Sequence, residues 1–180
     1  MKKTKLKITL GLLLIIIFCI PTFCGAATGN TEVEPVWINP AGSWPGYIFS
    51  TLDNNLSSWN HGHSGIGGNN GETIEAFQDY GVAVFVDGYM LNWRNCMTGG
   101  IYAVNNASDS QYTFAKYYAY NKEGLPYSLN VADGESAFYC SELVYRAWEY
   151  AGITVGTFAS GIVTPRSIME HSNTRLVYSF

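Results

Sequence analysis

Short apolar runs separated by Asn- and Gly-rich turns, followed by one strongly helical segment, predict an α+β fold: a small antiparallel sheet packed against a helix with a cysteine in its first turn. The sheet is read from residues 47–51, 63–66, 73–77 and 82–86, which alternate with turns such as Gly67-Gly68-Asn69-Asn70-Gly71 in the manner of a meander. The helix is read from residues 139–150, where Leu143, Val144, Ala147 and Ala151 recur at three- and four-residue spacing before Gly152 stops the run. No internal repeat or low-complexity tract interrupts the chain.

The remaining elements follow in order. Residues 31–45 are rich in Pro, Asn and Gly around Val36, Trp37 and Ile38, and read as an extended lead-in. Residues 87–93 give a weak helix or turn, and residues 101–104 a short strand. A helix is expected over 108–121, with Ser108 and Gln111 as a capping box and Gly124 and Pro126 closing it. Thr164-Pro165 opens a further short helix by the cap-then-proline rule, and residues 176–180 alternate as a final strand.

The N-terminus predicts export. Lys2, Lys3, Lys5 and Lys7 precede an apolar run from Leu10 to Ile20, and small residues follow at Gly25, Ala26 and Ala27. The run is too short for a comfortable membrane span of roughly 20 residues, so residues 1–26 read as a secretory signal, with no stable span after its removal. Phe23 before Cys24 argues against a lipid anchor, since that signal wants a small side chain. Residues 27–180 then form one domain with room for an ordinary core. The signal removes four of the ten Lys and Arg and none of the fourteen acids, leaving six cations against fourteen acids, a net charge of −8. Nucleic acid is excluded as a partner for such a surface.

Cys96 and Cys140 are the cysteines left in the mature chain, and outside the cytoplasm their plain reading is a disulfide. Their contexts differ. Cys140 lies in a predicted first helical turn, where unpaired N–H groups and the positive end of the helix dipole stabilise a thiolate. Cys96 lies in the loop Asn95-Cys96-Met97-Thr98 with no base nearby, and reads as a small hydrophobe or an oxidisable thiol. A thiol nucleophile also needs an imidazole, and His61, His63 and His171 are the available rings. His63 opens a β-prone run that would fix its ring; His61, two residues away, would share its face; His171 lies in a polar terminal turn. Glu75, twelve residues after His63 on the next predicted strand, is the candidate for holding the imidazole's tautomer, with Glu72 on the opposite face as competitor. Taken singly, each of these residues is more simply structural, and the combination is what carries chemistry. A metal held by His61 and His63 lacks the accompanying ligand motifs, and Trp37, Trp44, Trp59 and Trp93 are more simply packing than sugar platforms.

Three segments in order carry a family pattern: Gly62-His63-Ser64-Gly65-Ile66 with Glu75-Ala76 and Gly81-Val82; Gly124-Leu125-Pro126-Tyr127; and Tyr139-Cys140-Ser141-Glu142-Leu143-Val144-Tyr145. The chain resembles the YaeF/YiiX-like members of the NlpC-type papain-like superfamily, in which circular permutation puts the His motif before the Cys motif. Gly46-Tyr47 and His63-Ser64-Gly65-Ile66 depart from the commoner Gly-Asp and His-Val-Gly-Ile of that group, which bears on the wall of the site and not on its reacting groups.

The resemblance implies a circularly permuted papain-like (NlpC-type) fold and a triad of Cys140, His63 and Glu75, with Tyr139 lining the oxyanion or substrate site and no cofactor or metal. The implied protein is an exported cysteine hydrolase, an amidase or peptidase, taking a small peptide or amide substrate such as a cell-wall peptide. A thiol acyltransferase or lipid hydrolase on the same fold, and a binding module without turnover, are the competing expectations.

Overall fold

The computed structural model describes residues 39–53 and 61–180. The signal segment, most of the lead-in, and Trp37 and Trp59 lie outside the described residues. The elements are β1 (Ile48–Thr51), β2 (His63–Gly67), β3 (Thr73–Phe77), β4 (Gly81–Phe85), a π-helical turn (Tyr89–Trp93), β5 (Gly100–Val104), α1 (Asp109–Tyr120), a 3-10 stretch (Val131–Ser136), α2 (Cys140–Tyr150), β6 (Phe158–Ala159), β7 (Ile162–Val163), α3 (Pro165–Met169) and β8 (Thr174–Ser179).

One six-stranded sheet runs β4-β3-β2-β1-β5-β8, every neighbour antiparallel. The first four strands are the expected meander; β5 and β8 extend it past β1. The last strand starts two residues earlier than the sequence alternation indicates, because Thr174 pairs with Val104 and a register shift at Ile101/Tyr102 lets the ladder continue. The residue 87–93 segment closes as a π turn, and a small β6–β7 hairpin stands apart from the main sheet.

Strand alternation sends Ile48, Ile66, Ile74 and Val82 to one face, where they meet Ala115 and Ala119 of α1 and Leu143, Val144, Ala147 and Trp148 of α2. Each fully buried Ile, Leu or Val side chain there contributes about 1.5–3 kcal/mol. Two helices, rather than one, thus cover this face. The capping box forms as expected: Gln111 N–H donates to Ser108 Oγ at 3.4 Å, and Ser108 N–H to Gln111 Oε1 at 3.0 Å. The opposite face carries a smaller cluster of Phe49, Trp93, Cys96 and Ile101, with Tyr178 and Phe180 packed on it. His63 and Glu75 belong to this second face by strand parity, since Gly65 pairs with Glu75.

Candidate active site

Strand β2 begins at His63 because Gly62 lets the chain pass against the end of β1. Its φ is +84°, and a Cβ there would lie 2.0 Å from the Thr51 carbonyl oxygen. His63 is 1% exposed, and its ring is clamped between Phe77, stacked at 4.4 Å, and Trp93 at 5.4 Å. Its Nε2 lies 2.8 Å from Glu75 Oε2. The two residues are diagonal neighbours rather than direct partners, because Gly65 stands opposite Glu75.

Glu75 is fully buried and has donors on its other oxygen. Asn92 Nδ2 donates to Oε1 at 3.1 Å, Trp93 Nε1 at 3.0 Å, and Thr73 Oγ1 donates to the same atom. Thr73, Asn92 and Trp93 are the residues that sequence reasoning missed. Thr73, two residues before Glu75 on the same strand face, was open to the alternation argument; Asn92 and Trp93 arrive from the π turn, which no local pattern joins to β3. Glu72 is placed elsewhere, accepting from Tyr120 Oη and from Asn69 N–H at 3.2 Å.

Cys140 opens α2. The residue before it, Tyr139, is extended (φ −97°, ψ 167°) and no side chain caps the helix, so the first-turn N–H groups are left for the thiol. Cys140 is 6% exposed; the Ser141 and Ser64 backbone N–H groups lie near enough to the thiol to lower its pKa, the latter where the β2–β3 ladder has ended at Gly65. Because Glu75 takes His63 Nε2, the ring atom left for the thiol is the buried Nδ1, in a contact looser than a full hydrogen bond.

The electrostatics of the pair run opposite to burial. For His63 burial lowers the pKa, but the Cys140 thiol and the Glu75 carboxylate outweigh it and raise it to about 9. For Cys140 burial raises the pKa, but the His63 ring and the two backbone N–H groups hold it below the ordinary thiol value. Thiolate and imidazolium therefore stabilise each other. Cys96, by contrast, is pushed up to about 11, by burial first and by Asp53 and Glu75 after it. Both are unpaired thiols, so the disulfide reading is not realised.

Tyr139 is 2% exposed and lines a cleft of about 200 Å³ together with Cys140. Its hydroxyl accepts the Val163 N–H at 3.0 Å, while Ser141 Oγ donates to the Val163 carbonyl at 2.8 Å. The two residues flanking Cys140 are thus tied to the base of the β6–β7 hairpin. Burial raises the Tyr139 pKa to about 12, keeping the phenol neutral. Exposed His61 stands at the mouth of the cleft, whereas His171 is away from it, accepting the Asn173 N–H in a local turn.

The crystal structure of metalloprotein YiiX from Escherichia coli O157:H7, DUF1105, is similar to this chain, with a TM-score of 0.60 over 77% of this chain and 98% of YiiX, at 16% identity. The chain has a YiiX-like fold. No family model matches the sequence, and no curated protein does. Within this YiiX-like fold the sheet supplies His63 and Glu75, and the helix packed on the sheet supplies Cys140.

Proposed function

We propose that this chain is a cysteine hydrolase of circularly permuted papain-like type, exported and cleaving an amide bond. The observation that carries the reading is the buried His63–Glu75 pair at 2.8 Å beside a Cys140 thiol held below its ordinary pKa. The order of the groups, histidine on an early strand and cysteine on a later helix, is the permuted one.

In this reading the Cys140 thiolate attacks the carbonyl carbon, and the oxyanion forms against backbone N–H groups at the start of α2, with Tyr139 as the adjoining wall. The His63 imidazolium gives its proton to the departing amine as the C–N bond breaks, leaving a thioester on Cys140. Water then attacks the thioester, His63 takes a proton from it, and the carboxylic acid leaves. Glu75 keeps the Nε2 proton in place throughout.

YiiX is described as a metalloprotein. The donors here do not fit a resident metal: Glu75 Oε1 is saturated by three N–H and O–H donors and Oε2 holds His63 Nε2, and among the described residues no group of three His, Cys, Asp or Glu is arranged to hold a metal ion.

The test is labelling of Cys140 by limiting iodoacetamide from pH 5 to 9, followed by turnover of amide and ester substrates. Fast labelling below pH 7 that depends on His63, together with release of product, supports the hydrolase. Fast labelling with no turnover of any acyl substrate points to a binding module, and labelling that starts only at ordinary thiol pH removes the reading.

A further inference from the structure

The cleft beside Cys140 has two unlike ends. Toward the β6–β7 hairpin it is walled by Tyr127, Leu129, Ala159, Ile162 and Val163, and among the described residues no Lys, Arg, Asp or Glu lines it. At about 200 Å³ it holds on the order of ten water-sized units. At its other end, across His61 and Thr164, a second hollow of about 280 Å³ is lined by Leu52 and Arg166 and is the more polar of the two.

Chemistry assigns the ends. The departing group must take its proton from His63, so it lies on the side of the His61-Gly62-His63 lip. The group that stays on Cys140 as the thioester must then point the other way, to the hairpin. Among the described residues an anion bound there would meet no Lys or Arg and would lose its hydration, a cost of several kcal/mol. We infer that the cleft binds an uncharged, apolar acyl group and that the polar part of the substrate is the departing one, on the Arg166 side. The hairpin sets the choice: Ile162 and Ala159 are its contributions, and Val163 anchors it to Tyr139 and Ser141 on either side of the nucleophile. Substrates are then acyl amides or esters with an aliphatic or aromatic acyl part, and a peptide with an acidic residue on the acyl side is rejected. The inference rests on the hydrolase reading.

The test compares p-nitrophenyl acetate, butanoate and hexanoate with the p-nitrophenyl half-ester of adipate, whose carboxylate is too distant to close readily on its own ester, read as the nitrophenolate burst from acylation of Cys140 above the enzyme-free rate. A rise of at least 10-fold in kcat/KM from acetate to hexanoate is expected, with the adipate half-ester at least 10-fold below hexanoate. Ile162→Arg lowers hexanoate and raises the half-ester; Leu129→Arg replaces it if the first variant fails to fold. Equal rates for all four esters, or preference for the charged one, while iodoacetamide still labels Cys140 rapidly at pH 6.5, overturn the inference and leave the hydrolase standing. Absence of both burst and rapid labelling sinks the hydrolase reading, and this inference with it.

Discussion

Cys140 and Cys96 are both buried thiols, 6% and 8% exposed, yet their environments push them in opposite directions. Around Cys96 burial is joined by the negative charges of Asp53 and Glu75, and the thiol is raised to about 11. Around Cys140 burial is more complete, but an imidazole and two backbone N–H groups face the sulfur and lower it. Burial alone therefore does not determine thiolate character; what lies within reach of the sulfur does. Glu75 sits between the two cases. It raises Cys96 by its charge and, through His63, supports the thiolate at Cys140.

The largest break in this contrast comes from exchanging the sulfurs themselves. Cys140→Ser is expected to lower turnover by about 10⁶-fold, the scale on which nucleophile loss acts, while Cys96→Ser leaves kcat/KM within about twofold. Equal losses in the two variants, measured on one ester, would end the assignment of roles.

Glu75→Gln is next. Thr73, Asn92 and Trp93 all donate to Oε1, so an amide in this place must keep its oxygen there and turn its NH₂ toward His63 Nε2. That forces the proton to the wrong ring nitrogen, and a loss of about 10³–10⁴-fold in kcat is expected with the fold retained. Unchanged kcat would mean that Glu75 serves only packing.

His63→Ala moves Cys140 toward the Cys96 case. At pH 6.5 the rate of iodoacetamide labelling is expected to fall roughly 100-fold as the thiolate fraction collapses. The pH profile of wild-type kcat/KM follows from the same pair. Activity rises as Cys140 loses its proton, at a pH below the ordinary thiol value, and falls as His63 loses its proton near about 9. The linked stability has the same sign: the contribution of protonated His63 is full below its unfolded value of about 6.5 and is lost as pH rises through about 9.

Much of this was legible in the residues, for reasons that differ by element. Helix α2 announces itself because its periodic apolar residues are the ones that pack on the sheet, and the placement of Cys140 at its start follows. The pairing of His63 with Glu75 was readable because parity and one hairpin fix it locally. The support of Glu75 by Asn92 and Trp93 was not, since a seventeen-residue separation closed by a π turn leaves no pattern. The β6–β7 hairpin did leave a signal: Ser160-Gly161, both at positive φ, stand between Phe158-Ala159 and Ile162-Val163 as a two-residue turn. Its strands were too short to stand out, although they shape the cleft.

The smallest effect tests the geometry without touching a reacting group. Gly65 stands opposite Glu75, and a Cβ there would lie 2.7 Å from Glu75 Cγ and 3.3 Å from the Ile74 carbonyl oxygen. The backbone at Gly65 does not need positive φ, so Gly65→Ala acts by contact rather than by strain. Glu75 must give way, and with Oε1 held by three donors it gives way at the end that meets His63. A loss of about 10-fold in kcat/KM is expected, with the alkaline limb moving below pH 9 because Glu75 is one of the groups that raise His63. An alkaline limb left in place, with only the melting temperature lowered, would reduce Gly65 to a packing residue and loosen the claim that Glu75 governs His63.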